Sequence, residues 1–183
     1  MEEKETKIIR KEFSIYDFEK EEAFLAEESA LGWHFKSLEK TDYTFEKDET
    51  VQPKEYLIDF YTEPLTEDTV QVYNDDGFYV EFVYNSGKDG IWYYFSREKG
   101  DNQPPKVHQT EGRIFLLTRV MNRIERFGLV IMALSLGFFT FTYIRYRELV
   151  FLLVAIMILV MAIYVYKIYH DIKVKIKEYQ ANT

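Results

Sequence analysis

The 183-residue chain contains no cysteine, and glycine and proline are scarce, with eight and four residues. The lack of cysteine excludes disulfides, thiolate metal sites and a cysteine nucleophile. Only three histidines occur, His34, His108 and His170, and no two of them have the spacing of metal ligands. Walker-type, Gly-x-Ser-x-Gly and Gly-x-Gly-x-x-Gly motifs are absent from the sequence as well. We therefore expect no catalytic residue, no metal and no cofactor, and a protein that is not an enzyme.

Charge is distributed unevenly along the chain. Residues 1–112 carry 13 Lys and Arg against 27 Asp and Glu, a net charge of −14, whereas residues 113–183 carry 10 against 4, a net charge of +6. An acidic front part repels phosphates, so we expect no nucleic-acid partner. The basic end suits the anionic headgroups of a lipid bilayer. The first thirteen residues contain no apolar run of the kind found in signal peptides, which predicts that the front part stays in the cytoplasm.

Two long stretches lack any charged residue. Phe127–Ile144 and Leu149–Tyr166 are 18 residues each, and at a rise of about 1.5 Å per residue each reaches about 27 Å, enough to cross a hydrocarbon core. Only four residues separate them, so they predict a transmembrane hairpin. The alternative is a buried helical hairpin of a soluble protein. No ionisable side chain lies within either stretch, which disfavours transport by this chain alone.

Basic residues flank the predicted hairpin on the side of both termini. Four cations precede the first span, namely Arg113, Arg119, Arg123 and Arg126. Four follow the second span, namely Lys167, Lys173, Lys175 and Lys177. Only two, Arg145 and Arg147, lie in the turn between the spans. Because cytoplasmic flanks are enriched in Lys and Arg, we expect a multi-pass protein of the cell membrane with cytoplasmic N- and C-termini.

Further helices are predicted on both sides of the hairpin, which completes a membrane region at residues 113–183. Arg113–Arg126 has apolar residues at helical spacing, and this helix either lies at the bilayer interface or runs straight into the first span. After the second span, Ile168, Ile172 and Ile176 form one stripe of a basic C-terminal helix. That stripe is either a face for a partner or a second copy of the chain, or the part of the helix that meets headgroups.

Residues 1–99 predict an α+β domain. Period-two patterning and aromatic residues mark its predicted strands, which are Lys11–Ile15, Trp33–Glu39, Tyr43–Lys47, Tyr56–Thr62, Phe78–Tyr84 and Ile91–Ser96. Helical patterning predicts helices at Tyr16–Leu31 and Leu65–Asn74. The order is β-α-β-β twice, so we expect two β-α-β-β units, an antiparallel sheet and both helices on one face of it. A polar linker, residues 100–112, follows.

Capping residues support the two predicted helices. Asp17 and Thr66 stand at the N-terminal ends, where side-chain oxygens accept hydrogen bonds from free backbone N–H groups. Gly32 and Gly77 follow the C-terminal ends, where a left-handed residue commonly ends a helix. The acidic pair Glu21-Glu22 within the first helix is interpreted as solvated charge on the helix rim.

Aromatic side chains are unusually dense on the predicted strands. Alternation along the strands places some of them beneath the helices and others on the far face of the sheet. With Trp33, that far-face set gives the candidate binding residues, which are Trp33, Tyr61, Tyr79, Trp92 and Tyr94. An exposed aromatic face is typical of a site for a small apolar or cationic ligand, or for a protein partner. The alternative is that these rings pack the core.

Several passages resemble the family of unknown function DUF2812. The resemblance lies in Phe13-Ser14, in Tyr16 to Glu22, in Leu31-Gly32-Trp33-His34-Phe35, in Tyr43 to Lys47 and in Tyr56 to Phe60. Members of that family, mostly from Firmicutes, often carry C-terminal transmembrane helices and are often encoded beside PadR-like repressors. In its second half the chain departs from the family, which commonly has Gly-Trp where this chain has Gly77-Phe78.

Two functions fit these expectations. The first is a membrane-anchored, non-catalytic binding or regulatory module, which the resemblance links to envelope-stress or drug-responsive regulation. Its partner is a small ligand or a protein such as a regulator. The second is a small accessory subunit of a membrane complex such as an export transporter, which docks through its transmembrane hairpin.

Overall fold

The computed structural model describes residues 5–87, 90–100 and 110–181 of the chain. These residues form two compact units, Met1–Arg113 and Ile114–Thr183. The first unit is an α+β domain, and the second consists of long helices. Most of the predicted polar linker lies outside the described residues.

Six strands and two helices build the described part of the α+β domain. In chain order they are β1 (Thr6–Arg10), α1 (Phe18–Ala30), β2 (Trp33–Glu39), β3 (Asp42–Lys47), β4 (Lys54–Tyr61), α2 (Glu67–Asp75), β5 (Tyr79–Asn85) and β6 (Ile91–Glu98). The strands form two antiparallel sheets with the orders β1-β3-β2 and β4-β6-β5. The predicted α+β class is confirmed. The expectation of one antiparallel sheet is replaced by two sheets of three strands.

The two helices contact opposite faces of the β4-β6-β5 sheet. Phe18 of α1 lies against Trp92 of β6, with 5.6 Å between ring centroids, whereas Tyr73 of α2 stacks on Phe95 of the same strand at 4.0 Å. Residues 92 and 95 are three apart, and neighbouring residues of a strand point to opposite faces. The prediction that both helices share one face is therefore wrong.

The β1-β3-β2 sheet packs on the face of the second sheet that α1 also covers. Phe35 of β2 is fully buried and lies 5.7 Å from Phe82 of β5 and 5.3 Å from Tyr94 of β6, measured between ring centroids. On the opposite face, α2 packs over a separate cluster that includes Leu57 and Phe78. Strands β4 and β6 of the second sheet are thus covered on both faces, and aromatic rings fill the space on each side.

The first strand does not lie where the sequence pattern places it. Residues Thr6–Arg10 pair with β3, and the backbone N–H of Lys11 then donates to the carbonyl of Thr41 as the chain leaves the sheet. The prediction of a strand at Lys11–Ile15 is wrong because Phe13 packs across α1 instead, with its ring centroid 5.6 Å from that of Phe24.

Three of the four predicted capping features are present. The hydroxyl of Thr66 accepts a hydrogen bond from the N–H of Thr69 at 3.3 Å. Gly32 and Gly77 follow the helices with φ of +81° and +80°, a conformation that favours glycine. Asp17 precedes α1, but its side chain makes no capping hydrogen bond and pairs instead with the lysine three residues later.

The second unit is a hairpin of two long helices. The first is continuous through α3 (Thr110–Arg123), a π-helical turn and α4 (Val130–Tyr146), and the second is α5 (Leu149–Ala181). The helix predicted before the first apolar stretch therefore runs straight into it. Arg147 ends α4 in the left-handed region, with φ of +59°.

Both long helices are long and apolar enough to cross a membrane. The spans Glu111–Tyr146 and Leu149–Ala181 have 36 and 33 residues, and their most apolar 18-residue windows have mean hydropathies of 2.0 and 3.0. At a rise of about 1.5 Å per residue, α5 is about 50 Å long, more than the roughly 30 Å of a hydrocarbon core. Its last turns are the predicted basic C-terminal helix, which is a continuation of the second apolar stretch.

Candidate ligand-binding cleft

A cleft of about 310 Å³ opens beside the N-terminal half of α1. Its walls come from the segment after β1, from α1, and from strands of both sheets. The aromatic side chains that line it are Phe13, Phe18, Tyr43, Tyr84, Trp92 and Tyr94. We call this site the aromatic cleft.

One carboxylate, that of Glu21 on α1, lies among these rings. Its Oε1 atom accepts hydrogen bonds from the hydroxyls of Tyr43 at 2.8 Å and Tyr94 at 2.9 Å. Among the described residues, no hydrogen bond reaches its Oε2 atom. One oxygen of the carboxylate is thus held by the domain, and the other is available to a bound molecule.

Burial has the largest effect on the pKa of the Glu21 carboxyl group. It raises the pKa of Glu21 above its ordinary value, and the two tyrosine hydrogen bonds oppose the rise. Burial, and then the nearby Glu21 carboxylate, raises the pKa of Tyr43 and of Tyr94. Both phenols therefore stay protonated and serve as donors to the carboxylate.

Ring faces near the cleft are arranged to accept positive charge. The ammonium of Lys11 lies 4.0 Å from the ring centroid of Phe24 and 5.2 Å from that of Phe13. The guanidinium of Arg113 lies 4.8 Å from the ring centroid of Phe18. The negative face of an aromatic ring attracts cations at such distances.

The next residue of α1, Glu22, joins this helix to strand β4 and to Arg113. Its carboxylate accepts from the N–H of Ile58 at 2.8 Å and from the guanidinium of Arg113, which also donates to the carbonyl of Ile58 at 2.7 Å. Burial raises the pKa of Glu22 to about 7, although Arg113 opposes the rise. The pair fixes the helix that carries Glu21 to strand β4.

A second buried carboxylate lies on the α2 side of the second sheet. Asp59 is 1% exposed and accepts from the hydroxyl of Tyr73 at 2.7 Å, from that of Tyr61 at 3.3 Å and from the N–H of Phe60 at 2.8 Å. Burial raises its pKa. A Cβ atom on Gly112 would lie 2.9 Å from Asp59 Oδ1, so this cluster is closed rather than open to a ligand.

A larger cleft of about 620 Å³ lies elsewhere in the domain and is lined mainly by polar residues. There Lys54 binds Glu81 at 2.7 Å, and Ser96 donates to the same carboxylate at 2.7 Å. Arg97 binds Glu55 at 2.9 Å on the same sheet. The lining also includes Asp75, Asp76 and Glu98 but only one aromatic side chain, that of Tyr79, so this cleft does not have the ring walls of the aromatic cleft.

The five sequence-predicted binding residues do not share one face. Trp92 and Tyr94 line the aromatic cleft, and Tyr94 is only 3% exposed. Tyr61 contacts Asp59 and Tyr73 on the opposite face, Tyr79 is 62% exposed on β5, and Trp33 lies beneath the ammonium groups of two lysines. The expected single exposed aromatic face is therefore wrong, because α1 covers the side of β6 that was placed in solvent.

Sequence reasoning missed the carboxylate of the cleft. Glu21-Glu22 was interpreted as solvated rim charge, yet both side chains are partly buried and bind groups on the sheets. The spacing along the helix does predict their burial. Residues 21 and 22 are three or four positions from the buried Phe18 and Leu25, and residues at this spacing share one face of a helix. The packed face of α1 thus runs through both glutamates.

The arrangement of side chains in the aromatic cleft is suited to binding. In the described ranges, no group of three or more His, Asp or Glu residues converges on a point that would hold a metal ion. The aromatic cleft combines ring faces with a few charged side chains, among them Glu21, which is a recognition surface for a small molecule.

The fold and the cleft define a class of two-part protein, with an α+β domain that carries an aromatic cleft, followed by two helices able to cross a membrane. A family model described as protein of unknown function (DUF2812) matches residues 17–133. The chain belongs to this family. The match extends beyond the domain into the first apolar helix, further than the resemblance in the first hundred residues. No curated protein and no solved structure matches the chain.

Proposed function

We propose that this protein is a membrane-anchored, non-catalytic binding and regulatory module. Its α+β domain lies in the cytoplasm and holds a small ligand in the aromatic cleft. The observation that carries the proposal is the Glu21 carboxylate, which has one oxygen free of hydrogen bonds from the described residues and lies among aromatic rings. Concave sites with apolar walls and a few oriented polar groups are typical of small-molecule binding.

The helical hairpin supplies the anchor in this proposal. Both helices are long and apolar enough to span a bilayer, and the two uncharged stretches contain no ionisable side chain that would support transport. More cations flank the outer ends of the hairpin than lie in its turn, which favours cytoplasmic termini. The hairpin therefore places the acidic domain at the inner face of the cell membrane.

A regulatory role agrees with the chemistry of the site. Among the described residues no group of three or more His, Asp or Glu forms a metal cluster, and in this proposal a bound molecule is held rather than converted. The resemblance described above links such proteins to envelope-stress or drug-responsive regulation. In this role, ligand binding in the cleft changes how the domain interacts with a protein partner.

Copurification of small molecules tests the proposal. The full chain is purified in a non-ionic detergent beside Trp92→Ala, which removes one wall of the cleft, and its bound small molecules are identified by mass spectrometry. Trp33→Ala is the matched control, because it truncates the only other tryptophan and lies outside the cleft lining. We expect a molecule that travels with the wild type and Trp33→Ala but not with Trp92→Ala.

Equal recovery from all three proteins would count against the cleft as the binding site. A protein partner retained by residues 110–183 alone would favour the accessory-subunit function instead, since that segment lacks the cleft. Loss of the partner on removal of residues 1–109 would favour the binding module.

A further inference from the structure

We propose that the ligand of the aromatic cleft is an organic monocation with an apolar or aromatic body, and that its positive centre lies on Oε2 of Glu21. This inference rests on the proposed function and specifies the ligand class of the same site. It follows from the position of the Glu21 carboxylate, from the ring lining and from the size of the cleft.

The charge of the ligand follows from Glu21. Its Oε1 atom already accepts from Tyr43 and Tyr94, and its Oε2 atom receives no hydrogen bond from the described residues. An anion would be repelled by this carboxylate, and a neutral apolar molecule would strip it of water without replacing the lost interactions. A cation restores them, because an opposite charge stabilises a partly buried carboxylate.

The rings around the carboxylate select the kind of cation. Trp92 and Phe18 pack with 5.6 Å between their centroids, and Phe60 holds Trp92 from the other side at 5.3 Å. Ring walls of this kind bind weakly hydrated organic cations through apolar contact and through the negative ring faces. A small, strongly hydrated metal ion would gain little here, since it prefers several oxygen ligands.

The lysines of the lining show how the cleft treats positive charge. Lys11 and Lys40 belong to the lining, and the ammonium of Lys11 lies 5.2 Å from the ring centroid of Phe13, which also lines the cleft. A ring at this site thus already accepts a cation from the protein itself. The lining carries the charges of Lys11 and Lys40 beside those of Glu12 and Glu21, so we expect it to accept one cationic centre rather than two.

The volume sets the size of the ligand. About 310 Å³ is at the lower end of the range for small-molecule sites, roughly 300–1,000 Å³. The cleft therefore suits one drug-fragment-sized ion, part of which extends into solvent.

Two ions of matched shape and opposite charge test the proposal. The full chain in non-ionic detergent is titrated with tetraphenylphosphonium and with tetraphenylborate, and the fluorescence of Trp92 is followed in a Trp33→Phe background. Trp92 is then the only tryptophan, and it lines the cleft. We expect saturable binding of the phosphonium and much weaker binding of the borate.

Charge-neutral variants of α1 identify the carboxylate. Glu21→Gln keeps an oxygen that accepts from both tyrosines but removes the charge, so we expect the phosphonium affinity to fall by about tenfold or more. Glu27→Gln removes the same charge from an exposed position about 9 Å further along the helix and is the matched control. We expect it to bind the phosphonium with wild-type affinity.

The outcomes separate this inference from the proposed function. If both ions bind equally well, or if Glu21→Gln binds the phosphonium as tightly as the wild type, the cationic ligand class is wrong while the cleft remains a ligand site. If neither ion changes the fluorescence of Trp92, the cationic ligand class is again wrong, whereas the proposed function fails only if the copurification with Trp92→Ala and Trp33→Ala shows no molecule bound in the cleft.

Discussion

The buried carboxyl group of Glu22 predicts an unusual dependence of stability on pH. Burial raises the pKa of Glu22 to about 7 in the folded domain, whereas the ordinary value is 4.5. Between these two pH values the folded state holds a proton that the unfolded state has released. The stabilisation is therefore fully present below about pH 4.5 and is lost as the pH rises through about 7.

The size of the effect follows from the same two values. Each pKa unit corresponds to about 1.4 kcal/mol, so Glu22 alone changes the free energy of unfolding by roughly 3 kcal/mol across this window. The raised pKa values of Glu21 and Asp59 act in the same direction. The lowered pKa values of Asp42 and Glu81 have the opposite effect, but below about pH 4.5, outside the measured window.

Urea unfolding of the full chain in non-ionic detergent, followed by tryptophan fluorescence at pH 5, 6, 7 and 8, measures this effect. We expect the wild-type midpoint to fall with increasing pH and the Glu22→Gln midpoint to fall less steeply, because Glu21 and Asp59 still titrate in the variant. The amide does not titrate, and its oxygen still accepts from Ile58 and Arg113. Comparison of the two proteins cancels the contributions of other titrating groups. Glu27→Gln, an exposed change on the same helix, should keep the wild-type slope.

A wild-type midpoint that rises between pH 5 and 8 would refute this reasoning. So would a Glu22→Gln variant that keeps the full wild-type slope, because the titrating group would then lie elsewhere.

Three further predictions follow from individual contacts. Gly112→Ala places a Cβ atom 2.5 Å from a backbone oxygen of β4, so we expect a loss of about 1–3 kcal/mol in urea unfolding, whereas Gly100→Ala, with nothing within 4 Å, should be close to neutral. Tyr94→Phe removes one of the two donors to Glu21 and so raises the pKa of that carboxyl further; phosphonium binding, which is lost as the pH falls, should then be lost at a higher pH than in the wild type. Tyr73→Phe removes a donor to the buried carboxylate of β4, and we expect a loss of about 1–3 kcal/mol by the same unfolding assay, with an unchanged phosphonium affinity. A stable Gly112→Ala, an unshifted pH profile or an unaffected Tyr73→Phe would contradict the contact concerned.

The parts of the fold that the sequence predicts well are those with strong local signals. The second strand, predicted as Trp33–Glu39, has those bounds, and Thr66 and Gly77 lie where the second helix begins and ends. The first strand, Thr6–Arg10, was missed because it lies at the edge of its sheet and is at most half-buried, so it lacks a clear alternation of apolar and polar residues.

Face assignment on β6 failed for a physical reason. The segment from Ile91 to Ser96 is aromatic or apolar at nearly every position, and both faces of this strand are covered. Apolar and polar residues therefore do not alternate along this strand, and the sequence alone does not show which of its faces is buried. The sequence also did not reveal the carboxylate of the cleft, because the two tyrosines that bind Glu21, Tyr43 and Tyr94, lie far from it along the chain.

The central claim, that the hairpin holds the acidic domain at the inner face of the membrane, can be tested through the lack of cysteine in the chain. Single cysteines are introduced by Glu63→Cys in the domain and Glu148→Cys in the turn between the helices, both exposed positions. Intact cells are then treated with a membrane-impermeant maleimide. We expect the turn to be labelled at once, and the domain only after the membrane is opened. Labelling of the domain in intact cells, or recovery of the full chain as a soluble protein without detergent, would contradict the account.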